Sequence, residues 1–269
     1  MMEKFIQEAA KDIMRSKYVV ALTGAGISTE SGIPDFRGPN GIWTKNPEAE
    51  KKAYQSYERL QADPKMYWED RLSGGLSLLG NLAKMDSNPG HYALAELEKM
   101  GRLKCVITQN IDNLHLKAGS QNVLEYHGNV TKLRCMGCNA RFSPNEYDLD
   151  TLLKEDKLPP LCKKCDSVIK SDVVHFGEAI PPDVAEQSLI EAAKCDLMLI
   201  CGTSAVVYPF AMLPQVAKES KPEAGLYPAT IIEVNAEPTP LTTSNISDCL
   251  IQGKTGDILP RLLDAVKEM

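Results

Sequence analysis

Short apolar runs recur along the chain, and longer stretches of mixed polarity separate them. Tyr18-Val19-Val20-Ala21-Leu22 is the first run and Lys104-Cys105-Val106-Ile107-Thr108 the second. Further strands are expected at 122–126, 196–201 and 230–234. Such runs, with little polar alternation, suit strands buried on both faces. Helices are expected to about residue 16 and over 182–194, 206–219 and 257–267, with a polar, helical stretch from about 48 to 84. Asn88-Pro89 opens another, running from Ala93 to Met100 until Gly101 ends it. Strands separated by helices imply one parallel sheet covered on both faces.

Two segments break this rhythm. Residues 34–85 show no clear strand, and 128–172 hold two CxxC pairs, Pro159-Pro160 and several turn residues. Both read as excursions that return to the sheet. Residues 1–33, 86–127 and 173–269 then make the large domain. The segments 34–85 and 128–172 together make a smaller one.

Thirty basic residues against thirty-six acidic ones leave a net charge of −6, a poor balance for tracking nucleic-acid phosphates. The cysteine segment carries eight basic and seven acidic residues, so it is no basic patch either. The first fifteen residues mix charge and apolarity like an amphipathic helix, without the apolar core of a signal peptide. No apolar run approaches the ~18 residues needed to span a membrane. A cytoplasmic protein is expected, and the eight cysteines agree, four at metal spacing and four scattered.

Cys135-Met136-Gly137-Cys138 and Cys162-Lys163-Lys164-Cys165 are separated by 23 residues. Each CxxC lets two thiolates reach one ion from a tight turn, and two turns complete a tetrahedral S₄ shell. Disulfides or redox thiols are the alternative. Four thiolates leave no open position, so one zinc here would be structural, stapling a segment with few large apolar residues. The gap predicts a helix or loop between the pairs.

The first strand turns through Gly24-Ala25-Gly26-Ile27-Ser28 into a helix start, which aims backbone N–H groups and the helix dipole at an anion. Thr29 stands where the dinucleotide fingerprint has its third glycine, and Gly32 and Pro34 stop the helix early. Glu48, about 20 residues on, lies in polar surroundings; Glu237, past a late strand, is the better acid for a ribose. Gly202-Thr203-Ser204 ends another strand. Thr108-Gln109-Asn110-Ile111-Asp112-Asn113 follows a buried run, and such polar density is costly unless paired or used. It could equally be a solvated loop.

The histidines differ by context. His91 and His115 lie on expected helices, where packing or capping is the ordinary role. His175, between Val173-Val174 and Phe176-Gly177-Glu178, suits a strand end or a function equally. His127 ends a strand immediately before Gly128, where the chain leaves for the cysteine segment, a position suited to a general base.

As a set, these residues resemble the sirtuin family of NAD-dependent protein lysine deacylases, from Gly24 to about Gly256. The resemblance rests on Gly24 to Ser28, Gly32 to Gly38, Thr108 to Asp112, His127-Gly128, the four paired cysteines, Phe176-Gly177-Glu178, Gly202 to Ser204 and Val234-Asn235-x-Glu237. It implies an α/β fold: a Rossmann-like parallel sheet with helices on both faces, plus a smaller zinc-binding and helical domain inserted into it. Gly24 and Gly26 would cradle the NAD pyrophosphate, with Ala25, Ile33 and Asp35 in the same cofactor set. Phe36 and Arg37 would belong to a mobile cofactor loop. Gln109, Asn110, Ile111 and Asp112 would line the ribose and nicotinamide pocket. Gly202, Thr203, Ser204, Asn235 and Glu237 would serve the adenosine half, and Thr255 would approach adenine through its backbone. The peptide would lie as an added strand between 175–178 and 205–208, including His175, Phe176, Gly177, Val206 and Val207.

By the same resemblance, the acyl oxygen of an acyl-lysine attacks the ribose carbon as nicotinamide leaves. His127, with Asn110 beside it, then serves catalysis by deprotonating a ribose hydroxyl. Relatives that remove succinyl or malonyl groups carry a Tyr-x-x-Arg pair. Here Trp68 stands three residues before Arg71 and Tyr67 four before it, beside Glu69 and Asp70, so Arg71 reads as a surface residue and acetyl is expected first. Removal of succinyl or malonyl groups using Arg71, ADP-ribosyl transfer from the same pocket, or NAD sensing without catalysis, are the other readings. Acyl-lysine proteins are the implied partners, with neither nucleic acid nor membrane; a monomer is compatible with the sequence.

Overall fold

The computed structural model describes residues 2–75, 82, 84–220 and 228–269. In chain order the strands are β1 (Val19–Thr23), β2 (Leu103–Thr108), β3 (Val123–Glu125), β4 (Leu133–Cys135), β5 (Arg141–Phe142), β6 (Ile169–Ser171), β7 (Leu197–Cys201), β8 (Thr230–Asn235) and β9 (Cys249–Gln252). Six of them form one sheet in the order β3-β2-β1-β7-β8-β9, and every pairing is parallel. The chain builds outward from β1 to β3, then crosses back to set β7 against the other side of β1. That reversal opens a crevice at the carboxyl ends of the central strands.

Alternation along β1 divides the core. Val19 and Ala21 face a layer built from helices Met2–Arg15, Pro89–Lys99 and Thr255–Lys267. Val20 and Leu22 face the opposite layer, with helices Pro182–Lys194 and Leu213–Glu219. All five β1 residues are buried, which is why the sequence shows a run rather than an alternation.

The other three strands form a separate antiparallel sheet, β5-β4-β6, which lies in the chain between β3 and β7. The expected connection between the CxxC pairs holds the short helix Leu149–Lys154. Trp68 is buried here against Leu133, Phe142, Leu158 and Ile169, and its indole N–H donates to the Ile169 carbonyl at 2.8 Å. The helical segment and the cysteine segment therefore share one core.

Three expectations need correction. The helix expected over 206–219 starts later: Ala205 has φ 47°, a 3₁₀ turn covers Phe210–Met212, and the α-helix is Leu213–Glu219. Pro209 restricts the residue before it, which keeps 205–209 out of the helix. The expected stretch from 48 to 84 is divided into Pro47–Ala62 and Pro64–Asp70, because Asn46 and Asp63 each cap a new start with proline at the first position. Residues 76–81 and 83 of that stretch lie outside the described residues. Strands β4, β5, β6 and β9 were not anticipated; they are too short to show a period.

The loops after β1 and β7 pack back to back. The Gly26 N–H donates to the Gly202 carbonyl at 2.8 Å, and a Cβ on Gly26 would stand 2.7 Å from that oxygen. Gly202 itself has φ +63°. Gly202→Ala is expected to lose roughly 1–3 kcal/mol of stability, read as a lower urea midpoint at unchanged slope.

Candidate active site

The polar residues that end β1, β2, β7 and β8 converge at one edge of the sheet. Asn110 donates through Nδ2 to the Gly24 carbonyl and to Ser28 Oγ, each at 3.0 Å. Ser28 Oγ donates to Asp112 Oδ2 at 2.7 Å, and the Leu114 N–H reaches Asp112 Oδ1 at 3.0 Å. Gln109 Nε2 donates to Thr203 Oγ1 at 2.7 Å, and Asn235 Nδ2 to the Thr203 carbonyl at 3.2 Å. Burial raises the Asp112 carboxyl, while the Leu114 N–H and the Ser28 hydroxyl pull it back down. Gly24, Gly26, Gln109, Asn110, Asp112, Gly202, Thr203 and Asn235 thus belong to one connected cluster. Ala25 opens the helical turn Ala25–Ser28, which passes into a 3₁₀ turn that Gly32 ends at φ 85°.

A second layer lies behind the first. His91 Nδ1 accepts from the Asn88 N–H at 3.3 Å, leaving Nε2 facing Ser28 Oγ at 3.5 Å. His115 Nε2 meets Thr23 Oγ1 at 2.9 Å, and the two imidazoles stand edge to face with centroids 4.9 Å apart. Burial pushes His91 down to about 4, and His115 well below its ordinary value. Both are neutral and structural, in keeping with the packing or capping role expected of them. Asn88 ties the layer down by donating to the Ile27 carbonyl at 2.7 Å. Ser28 lay within the motif read from the sequence, but its bond to Asp112 did not; nothing local signals a contact across 84 positions.

His127 stands one residue beyond Tyr126, which packs on Phe210. Its Nδ1 lies 3.1 Å from the Gln109 carbonyl. A carbonyl can only accept, so Nδ1 carries the proton and Nε2 keeps a free lone pair. Burial lowers the imidazole below its ordinary value, against a smaller upward pull from that bond.

On the other side of the crevice, Ile33 donates its N–H to the Ser28 carbonyl at 3.3 Å. Asp35 accepts from the Gly38 N–H at 2.8 Å, closing the loop on itself. Phe36 is exposed and tilts onto Trp43 at 4.7 Å between centroids; Arg37 lies over the same indole at 5.0 Å and 3.6 Å from Glu50. Trp43 and Tyr54 also meet Phe176, at 5.6 and 4.4 Å. The loop holding Phe36 and the loop holding Phe176 therefore share an aromatic cluster, in which Trp43 and Tyr54 had no signal in the sequence.

The remaining candidates are dispersed around this centre. Ile111 accepts the Val130 N–H at its carbonyl, 2.9 Å away. Ser204, Val206 and Glu237 are exposed, Val207 partly so. Thr255 is buried at the start of its helix, and among the described residues its hydroxyl has no partner. His175 meets Tyr67 edge to face at 5.8 Å. The Tyr67 hydroxyl is 3.1 Å from Ser171 Oγ, Trp68 is sealed in the small core, and Arg71 caps the helix Pro64–Asp70.

The four sulfurs of Cys135, Cys138, Cys162 and Cys165 lie within 4.8 Å of one another. Cys135 and Cys165 are 3.4 Å apart, and Cys138 and Cys162 3.7 Å. A tetrahedron with Zn–S bonds of about 2.3 Å has edges near ~3.8 Å, so the donor set fits one zinc. Backbone N–H groups of Gly137 and Cys138 point at the Cys135 sulfur and that of Lys164 at Cys162, which fixes the direction of both sulfurs. The cluster at the sheet edge fits NAD by its chemistry, because its amides and hydroxyls suit a ligand of sugars and a carboxamide.

Sheet, crevice and sulfur cluster define a doubly wound nucleotide-binding protein with a structural zinc ribbon. Residues 24–209 match the model of the Sir2 family. The NAD-dependent protein deacylase of Pyrococcus furiosus is 41% identical over 262 residues, covering 97% of this chain and 98% of that protein. The NAD-dependent protein deacetylase of Sulfurisphaera tokodaii is 45% identical over 262 residues, covering 95% and 93%. A Sir2 homologue bound to ADP-ribose superposes with a TM-score of 0.77 at 39% identity, covering 97% and 96%. A Sir2 structure with a deacetylated p53 peptide and 3′-O-acetyl ADP-ribose gives 0.74 at 32%, covering 96% and 97%. The chain belongs to the Sir2 family.

Two outcomes follow from this geometry. Cys135→Ser, or chelation of the metal, is expected to unfold the ribbon, seen as loss of bound zinc with a lowered melting temperature. His91 binds a proton less readily folded than unfolded, so its stabilising contribution is complete above about pH 6.5 and drains as the pH falls toward about 4. Urea midpoints measured across that window should fall less steeply for His91→Gln than for the native chain.

Proposed function

We propose that this chain removes acyl groups, acetyl first, from lysine side chains of proteins, with NAD as co-substrate and nicotinamide and O-acyl-ADP-ribose as products. The observation that carries this reading is the His127 imidazole, held through Nδ1 by the Gln109 carbonyl in the same loop that supplies Asn110 and Asp112, with burial lowering its affinity for a second proton at Nε2. NAD, when bound, supplies an electrophilic ribose carbon and a leaving nicotinamide. The glycine turn at 24–26 receives the pyrophosphate on backbone N–H groups. Gln109, Asn110 and Asp112 orient the ribose and carboxamide, and Ser28 locks Asp112 in place. Gly202, Thr203, Ser204, Asn235, Glu237 and Thr255 serve the adenosine half. The loop of Asp35, Phe36 and Arg37 excludes water over the sugar. His127 Nε2 takes the proton of a ribose hydroxyl.

The peptide lies between the loop at 175–178 and Val206-Val207, as an added strand. Trp68, and not tyrosine, stands three residues before Arg71 and is sealed in the small core, which supports acetyl over succinyl. The eight cysteines, none in a disulfide, support a reducing, cytoplasmic setting. Among the described residues no helix is long and apolar enough to cross a membrane.

Incubation with NAD and an acetylated peptide should release nicotinamide only when both are present; release without peptide would overturn the assignment. His127→Ala should lower kcat by about 100-fold or more while ADP-ribose still binds. Because the neutral imidazole is the active form, activity is present above its pKa and lost below it. The acid limb of the kcat/KM profile should therefore have its midpoint below about 6.5.

A further inference from the structure

Where the cysteine ribbon meets the Phe176 loop, four charged side chains are buried together. Arg134 comes from β4, Lys170 from β6, Asp172 from the end of the ribbon and Glu178 from the loop. Arg134 is 4% exposed, Lys170 0%, Asp172 1% and Glu178 7%. At this depth an unpaired charge is costly, so the set holds only as a matched whole.

Glu178 is its hub. Oε1 accepts from Arg134 Nη2 at 2.7 Å. Oε2 lies 3.0 Å from Lys170 Nζ and accepts the His175 N–H at 3.0 Å. The Glu178 N–H in turn donates to the His175 carbonyl at 3.0 Å, so the carboxylate closes the turn that carries Phe176 and Gly177. Arg134 also donates to Asp172 Oδ1 at 2.8 Å and to Asn139 Oδ1 at 3.1 Å, the residue just past the first CxxC knuckle. Lys170 donates to the Ser171 and Val173 carbonyls at 3.0 and 2.6 Å. The same loop reaches the centre of the site, because the Val174 N–H donates to the His127 carbonyl at 2.8 Å. One carboxylate thus joins the metal-stapled ribbon to the segment between His127 and the aromatic cluster.

We propose that Glu178 is a positioning residue: clamped by Arg134 and Lys170, it holds the 173–178 loop in register for the acyl-lysine peptide. The inference rests on the reading of that loop as the peptide's partner strand. Edge pairing needs the loop's backbone groups at fixed spacing, and a loop released from the ribbon has to be ordered again at each binding event. Among the described residues no hydrogen bond or ion pair of these four side chains reaches a cofactor residue, so the effect falls on peptide and not on nucleotide.

The test compares the native chain with Glu178→Gln, Lys170→Met and the double variant. It reads peptide KM, kcat at saturating peptide, and ADP-ribose affinity by calorimetry. Glu178→Gln should raise peptide KM by about tenfold, with ADP-ribose affinity within about twofold. The double variant, which removes one charge of each sign, should match either single change and not their product, because both act through one clamp. It also keeps the question open to measurement if Glu178→Gln alone fails to fold. Unchanged peptide KM in the folded variants overturns the clamp, as does a parallel loss of ADP-ribose affinity. If the native chain shows no peptide-dependent nicotinamide release, the proposed function falls and the clamp with it; if it does and KM stays unmoved, only the clamp falls.

Discussion

The contact between the Gly26 N–H and the Gly202 carbonyl is the constraint from which the site follows. It brings the first turn after β1 against the first turn after β7, with no side chain between them. Once those turns touch, Asn110 can reach Gly24 and Ser28, and Gln109 can reach Thr203. A looser approach would leave these amides facing water and without fixed directions. Close backbone packing thus sets the geometry, and the polar residues complete it.

The polar groups are arranged in depth. Ser28, Asn110 and Asp112 face the crevice, and His91, His115 and Asn88 lie behind them. Keeping both rear imidazoles neutral avoids a buried positive charge beneath a site suited to a dinucleotide. His127 stands apart from that pair, held through its backbone-facing nitrogen with the other nitrogen free. The pair and His127 therefore differ in surroundings, decided by what each ring nitrogen meets.

The small lobe answers a different physical problem. Its core is modest: Trp68, Leu133, Phe142, Leu158 and Ile169, gathered at one three-stranded sheet. A metal held by four sulfurs supplies the cohesion that this core lacks. The buried charges at its inner edge then connect it to the 173–178 loop, so that the four sulfurs and that loop share one scaffold.

Much of this was legible in the chain itself. The unalternating runs at 18–22 and 104–108 specify strands buried on both sides, and the spacing of Cys135, Cys138, Cys162 and Cys165 specifies a single ion, because both are local patterns. The ordered motifs around Gly24, Asn110, His127 and Gly202 were legible too. What only the tertiary structure decided was which distant groups meet: Ser28 with Asp112, His91 with His115, Glu178 with Arg134 and Lys170. It also decided that residues 206–212 lie outside the α-helix, and that 249–252 forms an edge strand. Hydrogen bonds between segments far apart in sequence depend on how the layers pack, and no local period encodes that packing.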